Sequence, residues 1–167
     1  MQAPVPIQDV HAGREAFARD LESALKGASP CERGWAMPND LTLLVPLFAS
    51  NSAGSCDAYL LKLFFDHYSN GPPSAQFVNP LTLSYSFPGD VVWVPHIEGN
   101  VSIAFHTNFN NNQNQLICSS TTLEFYKVNH GVDEKHIWHA GQMTFLSTIS
   151  AIKAGLAQPY YKGRSTK

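Results

Sequence analysis

The chain has 167 residues, of which 44% are hydrophobic and 11% aromatic, but only 14% are charged, and its formal net charge at pH 7 is -2. This describes one ordered domain with a core of its own and excludes a disordered segment. With no basic field to attract nucleic acid or an anionic membrane, proteins and small molecules are the expected partners.

The N-terminal "MQAPVPIQDV" lacks the apolar run of a secretory signal, and no later stretch reaches the roughly 18 uninterrupted apolar residues of a spanning helix. The first element is a helix capped by Asp9 and running to about Lys26. Val10, Phe17, Leu21, Ala24 and Leu25 form its apolar face, and Gly27 stops it. A short strand is expected near Arg33 to Met37. "LTLLVPLF" (41–48) follows as a second, with Pro46 marking an edge or an end. "NSAGS" supplies a turn. "YLLKLFFD" (59–66) alternates, with Tyr59, Leu61, Leu63 and Phe65 on one face. "NGPP" (70–73) breaks the chain before a short strand in "AQFVNP" (75–80).

Beyond Leu81, "LTLSYSF" and "VSIAFHT" read as strands that could pair across "PGDVVWVPHIEGN". Seven of the eight residues from Asn108 to Gln115 are Asn or Gln, which makes that run a polar loop. "TTLEFYKV" (121–128) reads as extended or as an irregular cover over Cys118. A closing helix spans about Gln142 to Ala157, with Phe145, Leu146, Ile149, Ile152 and Leu156 as its stripe, and Pro159 ends it. The expected fold class is therefore α+β in one domain, its core covering about residues 9–160.

The three cysteines, Cys31, Cys56 and Cys118, are an odd number without a CxxC pair, which points to reduced thiols in a cytoplasm. His136 and His139, with His130 or Cys118, could ligate a metal, but no HExxH or CxxC supports this and no metal is expected.

The element order and several short motifs resemble the ubiquitin-conjugating enzyme (UBC-like) superfamily. "YLLKLFFDHYSNGPPSAQFVNP" (59–80) is similar to that family's third strand, aromatic-Pro-Pro turn and fourth strand, with Tyr68, Pro72 and Pro73 in the turn. Ser69 replaces the turn's first proline. "LIC" (116–118) resembles the family's Ile-Cys-Leu, and Trp138 its tryptophan beyond the cysteine. "FVNP", "VWVP" and the Cys-Phe-Tyr-His-Trp series (118–138) are closer to the prokaryotic branch, whose members sit in gene clusters that include antiphage systems.

The resemblance implies a UBC-like fold: N-terminal helix, four-stranded antiparallel meander, cysteine-bearing irregular segment, closing helix. It implies an enzyme that takes a ubiquitin-like protein from an activating enzyme as a thioester on Cys118 and passes it to an amine of a target protein. A deconjugating metalloprotease from the same cluster is a further implied partner; no cofactor is. His106-Thr107-Asn108 partly matches the family's His-Pro-Asn. Asn108 is thus the candidate amide, donating to the oxyanion or holding the loop, and His106 a structural neighbour. His130 would shape the site or help deprotonate the amine. Pro72, Pro73 and Trp138 are the expected binding-surface residues, Trp138 also as core or groove packing. Two other functions fit the same residues: a non-catalytic protein-binding module of this fold, and a hydrolase pairing Cys118 with His106, His130 or His139.

Overall fold

The protein is described by a computed structural model covering residues 4–128 and 137–166. Helix α1 spans Val10–Leu25. Its N-cap Asp9 accepts a hydrogen bond from Ala12 N at 3.0 Å, satisfying one of the orphan donors of the first turn. The helix ends where Lys26 (φ 51°) and Gly27 (φ 87°) turn left-handed. Gly13, Ala16, Phe17, Leu21 and Leu25 are buried, whereas Val10, expected on that face, is exposed. Gly13 lets the helix lie directly on the chain below: a β-carbon there would meet Phe65 O at 2.2 Å and Tyr68 O at 3.0 Å.

Strands β1 (Ala36–Asn39), β2 (Thr42–Ser50), β3 (Cys56–Phe64) and β4 (Ser74–Val78) form an antiparallel sheet in sequence order, as a meander requires. Pro46 sits inside β2 opposite Leu60, but β1 pairing ends at Leu44, so its missing N–H falls on a local edge. Leu43, Val45 and Leu47 of β2, Tyr59, Leu61 and Leu63 of β3, and Ala75 and Phe77 of β4 share the core with α1 and with a helix near the C-terminus. Helix α3 spans Phe145–Gly155. Phe65 stacks on Phe17 at 3.7 Å, and Phe145 meets both rings edge-on, so one aromatic cluster joins both helices to the sheet. In the α3 stripe only Leu146 is exposed.

The middle of the chain differs from the sequence reading. "LTLSYSF" is not a strand: it folds into turns, with Leu83 left-handed, and only the bridge between Asn79 and Ser84 remains. Lys62 Nζ donates to Leu83 O at 3.2 Å, and Asn79 and Asp90 hold the loop's two ends together at 2.9 Å. These local bonds replace the expected ladder. "VSIAFHT" contributes β6 (Ala104–Phe109), which pairs instead with β7 (Asn114–Cys118). β5 (Pro95–Ile97) pairs with β8 (Tyr161–Arg164), a closing strand the sequence did not reveal. Tyr161 secures it over β3: its hydroxyl donates to Asp57 Oδ2 at 2.6 Å and lies 2.5 Å from that of Tyr59. "TTLEFYKV", read as extended or irregular, contains a short helix, α2, over Leu123–Lys127.

Candidate functional site

Cys118 ends β7, opposite Ala104 of β6. It is half-buried, and burial pushes its thiol above the ordinary value. A Cys–His thiolate pair would shift it the other way.

The segment after the cysteine is held by its own hydroxyls. Thr122 Oγ1 lies 2.6 Å from Ile117 O and 2.9 Å from Ser119 O; the Ser119 and Thr121 hydroxyls bond each other at 3.0 Å. Thr148 of α3 donates to Thr121 O at 2.7 Å. Helix α2 then starts where Leu123 N donates to Pro73 O at 3.1 Å. A β-leaning sequence becomes helical here because its first N–H groups find partners in the preceding turn and in Pro73.

A second set of bonds ties this segment to the turn after β3. Tyr126 OH donates to Ser120 O at 2.9 Å and accepts from Trp138 N at 2.7 Å. Trp138 Nε1 donates to Ser69 O at 3.1 Å, and its ring packs on Tyr68. Tyr68, fully buried, donates to Asp20 Oδ2 of α1 at 2.5 Å and accepts from Phe145 N of α3 at 3.1 Å. Pro72, Pro73 and Trp138, expected at a binding surface, are all buried. They form the frame behind the cysteine segment and not its outward face.

The Asn/Gln run is the tip of the β6–β7 hairpin. Asn110, Asn111 and Gln113 are left-handed (φ 51°, 57° and 58°), a conformation Asn in particular tolerates. Asn108 Oδ1 accepts from Gln113 N at 2.9 Å and so holds the tip closed. Asn108 lies four residues from Ala104, the partner of Cys118, which is about 13 Å along the strand. Of the two roles expected for Asn108, the loop-holding one has a bond in the structure. His106 is closer: opposite Leu116, it is the diagonal neighbour of Cys118, with Cα atoms about 7–8 Å apart on one face. Its ring meets Phe109 edge-on. With Phe105, Asn108, Phe87 and His96 it lines a cleft of about 570 Å³.

Among the described residues no group of three or more His, Cys, Asp or Glu is placed to hold a metal. His139 is exposed, while His130 and His136 lie outside the described residues. No helix of the described chain is long and apolar enough to cross a membrane.

Sequence reasoning missed two residues. Gln115, inside the amide run, is buried, and its side chain bonds both backbone groups of Phe77 on β4. Glu124 accepts from Ala75 N and from the Ser74 hydroxyl; burial raises its carboxyl against those bonds and the nearby Lys127 charge. The only signal in the sequence was "QLIC", an amide one residue ahead of an apolar pair. Compared with known proteins, the chain matches no family model, no curated protein and no solved structure.

Proposed function

We infer that the protein is a UBC-like conjugating enzyme that carries a ubiquitin-like protein as a thioester on Cys118. The observation that carries the reading is a convergence. Tyr68 and Pro73 of one turn, Cys118 and Trp138 come from three separate parts of the chain and carry the resemblance. One hydrogen-bonded frame, running from Ser69 and Pro73 through Trp138, Tyr126 and Ser120, joins the turn to the cysteine segment.

The half-buried thiol is compatible with this chemistry. Exchange between two thioesters is nearly isoenergetic, so strong acidification is not required, and the smaller thiolate fraction of a raised pKa is offset in part by a more nucleophilic thiolate. Cys118 Sγ, as thiolate, attacks the carbonyl of the incoming thioester; its new S–C bond forms as the activating enzyme's thiolate leaves. A deprotonated amine of the target then attacks the same carbonyl. Cys118 departs as thiolate, and the amine's proton passes to solvent.

Incubation with ATP and the activating enzyme and ubiquitin-like protein of the same cell tests the reading. It predicts a protein-sized adduct that vanishes under reducing agent and never forms on Cys118→Ala. An ATP-dependent adduct undiminished in Cys118→Ala would place the transfer elsewhere and end the proposal.

A further inference from the structure

The outer edge of β4 is closed by side chains and a helix end where another strand would be expected. In a strand paired on one side only, alternate residues turn their N–H and C=O groups outward, and proteins cover such edges. Along β4 and the proline before it, the outward groups belong to Pro73, Ala75 and Phe77. Pro73 O accepts from Leu123 N at 3.1 Å, and Ala75 N donates to Glu124 Oε2, also at 3.1 Å. Phe77 N donates to Gln115 Oε1 at 2.6 Å, and Gln115 Nε2 donates back to Phe77 O at 2.9 Å. Ser74 Oγ adds a bond to Glu124 Oε1.

The Gln115 amide thus stands in for one residue of a neighbouring strand. It does so from the end of a side chain, which sets β7 off from β4 beyond the ~4.8 Å spacing of a ladder. Glu124 makes the second attachment. Between these two anchors lie residues 116–122, which include Cys118; β6 pairs with 116–118 on the other side, and Tyr126 and Thr148 hold Ser120 and Thr121. Internal Ser and Thr bonds hold the turn after the cysteine together.

The geometry points to Gln115 and Glu124 as positioning residues for Cys118: the clasp they form fixes the β4 side of the cysteine segment and sets how deeply the thiol is buried. This deepens the conjugating-enzyme reading, and only its consequence for transfer rests on that reading; the clasp itself is tested on the thiol, with no partner protein present.

The test uses the full chain with Cys31 and Cys56 replaced by Ser, leaving Cys118 as sole thiol. The rate of alkylation by iodoacetamide is followed from pH 7 to 10 alongside the melting temperature. Gln115→Met keeps the side chain's size and removes both bonds. It should raise the neutral-pH rate about threefold per unit of lowered pKa, ten times the thiolate at roughly a third of its nucleophilicity, and shift the rate profile to lower pH. Gln115→Glu, ionised, can accept from Phe77 N but has no proton for Phe77 O, and should fall between. Ile152→Val, a loss of core volume in α3, is the stability control and should stay within about twofold of the parent. If Gln115→Met does not fold, Gln115→Asn, one methylene short of Phe77, is held to the same criterion. A folded Gln115 variant alkylated at the parental rate, or an equal acceleration in Ile152→Val, would overturn the proposal.

Discussion

Replacing Tyr68 by phenylalanine removes one oxygen from the point where the turn, α1 and α3 meet. That hydroxyl donates to the Asp20 carboxylate at 2.5 Å and accepts from Phe145 N, the first residue of α3, at 3.1 Å. A hydrogen bond to a charged group is worth about 1.5–3 kcal/mol and a neutral one about 1 kcal/mol. The loss should therefore be about 3 kcal/mol, or roughly 6–12 °C in melting temperature for a domain of this size. Alkaline pH gives a second readout. Burial, then the hydrogen bond and charge of Asp20, push the Tyr68 phenol far above its usual range. The folded protein keeps this proton while the unfolded chain loses it near pH 10. The hydroxyl's contribution is thus fully present below pH 10 and declines above it, at about 1.4 kcal/mol per pH unit. Urea unfolding of wild type and Tyr68→Phe between pH 7 and 11 measures both effects. A cost under about 1 kcal/mol at pH 7, or a difference that stays constant above pH 10, would refute the role given to Tyr68.

Gly13→Ala should destabilise the fold by about 1–3 kcal/mol in urea unfolding, because the added β-carbon would lie 2.2 Å from Phe65 O. Alanine's better helix propensity, worth about 1 kcal/mol, argues the other way, and a neutral or stabilising result would show that α1 can move off the sheet. Asn108→Ala should cost about 1 kcal/mol through its bond to Gln113 N, with discharge of the Cys118 thioester to an amine changed less than about threefold. A loss of 10²–10³ in that rate is what removal of an oxyanion donor produces, and would return Asn108 to catalysis.

Much of the fold was legible in the sequence because local signals and burial agreed. Asp9, the α1 stripe and Gly27 bound the first helix, and the alternation of Tyr59, Leu61 and Leu63 set the face of β3. Legibility failed where distant groups decide the local structure. Leu123–Lys127 is helical because Pro73 accepts the first N–H. Tyr161–Arg164 is a strand because β5, more than sixty residues earlier, offers it an edge. In the site, Cys118 stood out through its neighbours "LI" and its place in the element order. Gln115 did not, since nothing within the amide run distinguishes the one side chain that turns inward to Phe77 from those exposed at the hairpin tip.

The measurement that bears most directly on the central claim is the mass and chemistry of the bond formed at residue 118. After reaction with ATP, activating enzyme and ubiquitin-like protein, wild type should carry one ubiquitin-like protein through a linkage cleaved by thiols. Cys118→Ser should carry the same added mass through an ester that thiols leave intact. If both proteins keep their unmodified mass with active partners, Cys118 is not a thioester carrier and the account fails.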